Sequence, residues 1–388
     1  MPDRPGDDEV AASVALGLLP GVGPRTVRRW IDAAGSAAAA WRGLTALAAG
    51  RRDRDAILAA RATLDGAAVV ARARAQGLSV IAWADARYPA LLRAITDPPP
   101  ALFVRGALDD GPAVAIVGAR AATAYGLAAA ERLGFDLAAA GVTVVSGLAR
   151  GVDGAAHRGA LAAGGRTVAV LGSGPDVIYP REHRRLAAEV SARGALVSEF
   201  APGTPPRSEQ FPRRNRIISG LALGVLVVEG AEDSGALVTV DYALDQGRDV
   251  FAVPGSIFSA MSRAPHALLR QGARIVEGAA DVLAELGLAA VPALPAAPDA
   301  AAAAAGSGRP AGAPGGGEHA SGGVRSADEG RLLAALAGGP LGLDDLVEAL
   351  GLPASRVAAL VGWLEVHGLV RVLPGQMLMR TPGRPVGP

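Results

Sequence analysis

Between residues 113 and 255 the chain repeats one pattern six times, a short apolar run followed by a polar or helical stretch. The runs are AVAIVG (113–118), VTVVSG (142–147), TVAVLG (167–172), ALVSE (195–199), GVLVVEG (224–230) and DVFAVPG (249–255), and most end in glycine. Helical spacing of apolar residues fills 126–140, 155–163, 182–193 and 236–246. Continuously apolar strands separated by helices make a parallel sheet covered on both faces. Right-handed crossovers then bring every strand-to-helix loop to one edge. The pattern predicts an α/β core with a Rossmann-like parallel sheet, and it predicts where a ligand sits.

The flanks differ in character. Residues 8 to 76 read as all helical, and LPGVGPRT (19–26) is either a helix-hairpin-helix turn that meets a DNA phosphate or a tight turn between packed helices. WADARYP (83–89) and Asp97-Pro98-Pro99-Pro100 form an extended lead-in, since three prolines cannot lie inside a helix. Residues 291 to 325 are Ala, Pro and Gly with little to bury, the composition of a flexible linker. Beyond it, helices over 328–337, 343–350 and 354–367, then LVRVL, Pro374-Gly375 and QMLMR, give a winged-helix arrangement. Its third helix has one Arg, one Glu and one His, which favours a protein-contact module over a duplex reader. The predicted domains are 1–80 (helical, SAM- or helix-hairpin-helix-like), 81–288 (Rossmann-like core), 289–326 (disordered linker) and 327–382 (winged-helix-like).

All 38 basic residues are arginines, and the net charge is +1. A GC-rich coding bias produces such a composition, so only the placement of arginines carries information. With so little net charge, a polyanion site has to be a local patch. The absence of cysteine excludes disulfides and thiolate catalysis. MPDRPGDDEV is acidic, the reverse of a signal peptide, and no apolar run is long enough to span a bilayer. The expectation is a soluble cytoplasmic protein without membrane contact.

The loops at the sheet edge carry the candidate chemistry. After the first strand, Gly118-Ala119-Arg120 lacks the later glycines of a dinucleotide fingerprint, and Arg120 offers either a fork to a phosphate or a surface ion pair. In SGLARGVDGAAH (146–157), Gly147 and Gly151 let main-chain amides face an anion, and Arg150 adds charge. Asp153 there is an N-cap, with His157 one turn on, either packed against it or serving as a general base. Tyr179, in the turn after Gly172-Ser173-Gly174, either stacks a base or covers the sheet edge. Phe211-Pro212-Arg213-Arg214-Asn215-Arg216 puts three arginines at the start of a helix, where the macrodipole disfavours cations unless anions neutralise them. Glu199 and Glu229 can take one Arg, but not all three. Ser234-Gly235 opens another helix as an anion nest.

Taken in order over 88–273, these pieces resemble the DNA-processing protein A family, also called Smf. The shared pieces include IVGAR, VVSGLARGVD, VAVLGSG, FPRRNRIISGL, VLVVEG, SGALVT, VFAVPG and LLRQGA. The resemblance implies an extended Rossmann-like fold that dimerises, binds single-stranded DNA without catalysis or cofactor, protects incoming strands during natural transformation, and loads the RecA recombinase. It implies a DNA pocket of Arg120, Ser146, Gly147, Arg150, Arg214, Asn215, Arg216, Ser234 and Gly235, with Tyr179 and Phe211 as stacking platforms and no metal. Two rival readings are a nucleotide-processing enzyme of the phosphoribohydrolase type, with Glu229 or Glu199 as its acid, and a winged-helix regulator sensing a dinucleotide. The first wants a PGGxGT-type turn and the second a complete GxGxxG after a strand, and the sequence has neither.

Overall fold

The computed structural model describes residues 5–288, 327–336, 341–366, 369–373 and 377–380. The chain divides near residue 299 into two units. The linker expected over 289–326 and the Pro374-Gly375 turn lie outside the described residues.

The first unit is built on a nine-stranded sheet. Its strands are β1 (Ser79–Ala82), β2 (Ala101–Gly106), β3 (Ala113–Val117), β4 (Thr143–Ser146), β5 (Thr167–Val170), β6 (Ala195–Ser198), β7 (Gly224–Val227), β8 (Asp249–Ala252) and β9 (Arg274–Ile275). Their order is β1-β2-β6-β5-β4-β3-β7-β8-β9. From β6 to β9 every pairing is parallel, whereas β1 with β2 and β2 with β6 are antiparallel. The six predicted apolar runs are β3 to β8.

Every residue of β3 to β7 is buried. Alternate side chains of one strand enter opposite cores, as the two-residue period requires. Ala113, Ala115 and Val117 of β3 join one layer with Ile217, Ile218 and Val240. Val114 and Ile116 join the other with Leu133, Leu137 and Val152. The helices Ala124–Ala139 and Val152–Ala162 therefore cover one face, and Gln210–Gly220 and Ala236–Asp245 the other. Strand order reverses direction at β3, so the helices after β3 and β7 leave on opposite faces. The crevice between them lies at the carboxyl ends of the strands, the usual ligand position in open α/β sheets.

The N-terminal helices build a core of their own around Leu16, Trp30, Leu44 and Ile57. They also pack Val10, Val14 and Val70 on Val80 and Phe103 of β1 and β2. LPGVGPRT forms the turn between the Asp7–Gly17 and Pro24–Ala34 helices, with Gly21 at φ 69. Arg51, itself paired with Asp53, donates to the Gly21 carbonyl and braces that turn.

In the second unit, the helices Ala327–Ala335, Leu343–Leu350 and Ala354–Val366 accompany strands β10 (Leu341–Gly342), β11 (Val370–Leu373) and β12 (Met377–Arg380). The strands form an antiparallel sheet in the order β10-β12-β11. Leu332, Leu346, Val357, Leu364 and Leu378 fill the core of this winged-helix arrangement.

Candidate nucleic-acid interface

The turn after β4 does hold an anion, but one of its own. Asp153 sits in the first turn of the Val152–Ala162 helix, and its Oδ2 accepts the amides of Gly147 (3.1 Å) and Ala149 (3.3 Å). Asp153 was expected at the N-cap. That position belongs to Gly151, at φ 73, where any Cβ would run into the Ala119 carbonyl. The Gly147 amide is thus not free to meet an outside phosphate. Burial raises the Asp153 pKa, while Arg214 and the two amides oppose the rise. Ser146 is also withdrawn from the surface, since its buried hydroxyl donates to the Ile116 carbonyl at 2.7 Å. His157 does not pair with Asp153 either. It is buried, with Nδ1 2.7 Å from the Thr167 hydroxyl. That hydroxyl gives its own proton to the Val144 carbonyl, so Nδ1 is the donor to it.

The three arginines of the Gln210–Gly220 helix separate by function. Arg213 and Arg216, one turn apart, both reach Glu199, at 3.2 and 2.8 Å. Arg216 also meets Asp97 at 3.2 Å and is only 1% exposed. The fold therefore makes Arg216 a buried structural cation, which corrects its expected place in the pocket, and Glu199 and Asp97 together balance Arg213 and Arg216. Arg214 points elsewhere. Its Nη1 donates to the carbonyls of Gly147, at 2.7 Å, and Val170, and its Nε to Asn215 Oδ1 at 3.2 Å. Burial lowers its pKa to about 10; Asp153 opposes the fall and Arg120 adds to it.

Arg120 spends its guanidinium on a ring face, with Cζ 5.5 Å from the Phe211 centroid. The Tyr179 and Phe211 rings lie 5.6 Å apart, inclined at 41°, and Tyr179 is 43% exposed. Arg150 is exposed and paired with Glu182. A cavity of about 220 Å³ is walled by Arg120, Phe211, Arg214, Asn215 and Ser234, with Gly118 and Gly235 at its edge. A smaller recess of about 30 Å³ shares Arg120, Phe211 and Arg214 and adds Arg150 and Tyr179. The two shared arginines and the shared ring make this one groove, at the crevice between the β3, β4 and β7 loops. Of the expected site residues, it brings together Arg120, Arg150, Tyr179, Phe211, Arg214, Asn215, Ser234 and Gly235. Gly147 forms part of the recess wall, where a Cβ would collide with the Arg214 guanidinium.

Glu229, proposed as a catalytic acid in the rival reading, is buried and accepts from Thr123, from its amide at 2.8 Å and its hydroxyl at 2.6 Å. It fixes the loop that carries Arg120. Sequence reasoning missed this anchoring role, as it missed Asp153 as internal anion and Glu182 at the groove mouth. The i, i+3 spacing of Arg213 and Arg216, with Arg214 off that face, is the signal that separates the three arginines.

The family profile of DNA recombination-mediator protein A matches residues 79–287, and that of the DprA winged helix domain matches 292–376. Protein Smf of Escherichia coli is 52% identical over 202 residues, covering 51% of this chain and 54% of that protein. The match thus spans about half the length of that relative. DNA processing protein DprA of Bacillus subtilis is 45% identical over 203 residues, covering 52% of this chain and 68% of its own. The X-ray structure of DNA processing protein A from Streptococcus pneumoniae superposes with a TM-score of 0.63 at 34% identity, over 73% of this chain and 99% of that one. With a family profile covering more than half its length, on a fold shared with a solved member, the chain belongs to the DNA recombination-mediator protein A (DprA/Smf) family.

Proposed function

We propose that the groove binds single-stranded DNA, and that the chain acts in DNA recombination by protecting such strands and passing them to the RecA recombinase. The observation that carries this reading is the convergence of Arg120, Arg150 and Arg214 with the Tyr179–Phe211 ring pair on one groove. Arg120 and Arg214 repel one another, and a phosphate between them relieves that repulsion. The rings supply faces for unpaired bases, which a duplex keeps stacked inside. A catalytic role has less support, since Glu229 and Glu199 are both engaged by internal partners. Loading of RecA, homodimer formation and a cytoplasmic setting are the family expectations that complete the proposal.

The test is titration of the full chain with single- and double-stranded oligonucleotides of one sequence, beside Arg120→Ala. Arg120 is the cleaner target because Arg214 also braces two carbonyls. The expected result is preference for the single strand and a folded Arg120→Ala variant that binds weakly. Equal binding of duplex, or an unimpaired variant, would overturn the assignment.

A further inference from the structure

The loop after β8 presents two large apolar side chains to water. Ile257 is 82% and Phe258 94% exposed. Neighbouring exposures of this size on an ordered loop point to a contact surface. The loop is held in shape from within. Ser256 Oγ accepts the Phe258 amide at 3.2 Å, the Ser259 amide reaches the Ser256 carbonyl at 3.1 Å, and His266 Nε2 lies 3.0 Å from the Gly255 carbonyl. Gly255 sits against the Ser262 hydroxyl, which a Cβ there would displace. The apolar tip is therefore held outward by construction.

The same loop is fastened to both walls of the groove. The Gly230 amide donates to the Met261 carbonyl at 2.7 Å and the Ala264 amide to the Gly230 carbonyl at 3.0 Å, tying it to the loop of Ser234. The Tyr125 hydroxyl donates to the Pro254 carbonyl at 2.8 Å, tying it to the helix that follows the loop of Arg120. From Phe251 to Arg270 the sequence contains no Asp or Glu, while it contains Arg263, His266 and Arg270. An apolar aromatic tip on a segment without acidic residues, with Glu232 and Asp233 confined to the adjoining loop of Ser234, suits a strand that offers exposed bases to it.

We propose that Ile257 and Phe258 form a second base-stacking platform, which takes unpaired bases of the strand leaving the groove on the β8 side. The proposal rests on the reading of the groove as a single-strand site. Tyr179 follows β5 and Phe258 follows β8, four strand spacings apart, so the platforms stand about 19 Å from each other along the edge. Sites of about 4–16 nucleotides, common in single-strand binders, span that distance.

The test uses the full chain and oligothymidylates from about 4 to about 20 nucleotides. Wild type is compared with Phe258→Ala, Phe258→Trp and Arg120→Ala. Phe258→Ala should bind the shortest strands as wild type does and the longest about tenfold more weakly. Phe258→Trp should restore long-strand affinity, with tryptophan fluorescence quenched by long strands only. If Phe258→Ala binds every length normally while Arg120→Ala weakens all, the tip lies off the strand path and the inference fails while the groove reading stands. If Phe258→Ala lowers the mass of a solution oligomer and leaves DNA affinity intact, the tip is a protein contact and the inference again fails. If Arg120→Ala binds every length normally, the groove reading fails and takes this proposal with it.

Discussion

Glu182 occupies Arg150 at the mouth of the groove, and a phosphate that takes Arg150 must displace it. The carboxylate Oε1 accepts from Arg150 Nε, and this hydrogen bond is the main cause of a lowered Glu182 pKa and a raised Arg150 pKa. The side chains are 60% and 50% exposed, so the contact can exchange partners. Glu182→Gln keeps the shape and removes the competing charge. Each phosphate neutralised on a single strand adds about −0.7 to the slope of log Kobs against log salt. Three groove arginines give about −2.1, and two, with Arg150 withheld by Glu182, give about −1.4. The variant is predicted to bind oligothymidylate more tightly than wild type, with a slope steeper by about 0.7. Over a fourfold dilution of salt its advantage should then grow about 2.6-fold. Fluorescence anisotropy across a salt series reads both quantities. An unchanged slope would refute the reasoning, as would an equal gain in an Arg150→Ala background, where Glu182 has no partner to release.

Three further outcomes are expected. Arg216→Ala, which strands Asp97 and leaves Glu199 to Arg213 alone, should cost about 3–5 kcal/mol in thermal or urea unfolding and leave the folded fraction binding DNA normally. A fully stable variant that has lost DNA would return Arg216 to the pocket. Gly147→Ala should push the Arg214 guanidinium aside, costing about 1–3 kcal/mol and weakening single-strand binding; normal affinity would remove Arg214 from the site. His157 has its pKa lowered from 6.5 to about 3, chiefly by burial, so the unfolded chain binds a proton there that the native one does not. Its contribution to stability is present above 6.5 and is lost as pH falls toward 3, at about 1.4 kcal/mol per pH unit. His157→Asn, which keeps a donor toward Thr167, should remove that part of the acid sensitivity. Urea midpoints at about pH 7 and about pH 5 check this, and an unchanged pH dependence would refute it.

The parallel strands were legible because burial on both faces leaves an unbroken apolar run, as AVAIV of β3 shows. The antiparallel edge was not. β1 is four residues long, and β2 follows directly on three prolines that dominate any local reading. β9 is two residues, both exposed, and has no pattern to detect. At the site, loop membership was readable but side-chain direction was not. Arg120, Phe211 and Ser234 sit where their loops predicted. Ser146 shares the same motif, yet it is the last residue of a buried strand, and its hydroxyl turns inward. Arg216 has the residue type of a phosphate ligand, but its helix position directs it to Glu199 and Asp97.

Asp153 explains why this glycine-rich edge has no cofactor fingerprint. In a nucleotide site the amides of the turn are left open for a diphosphate. Here a carboxylate of the same chain occupies two of them permanently. It also supports the buried charge of Arg214, which in turn closes on the Gly147 carbonyl. The turn, the carboxylate and the guanidinium thus lock one another. Recognition passes from main-chain amides to the side chains at this lock, namely Arg120, Arg150, Arg214, Asn215 and the two rings. Such side chains can follow the phosphates of a flexible strand one at a time, whereas a rigid amide nest fits one compact anion. The internal anion therefore favours an extended polyanion over a nucleotide as the occupant of the groove.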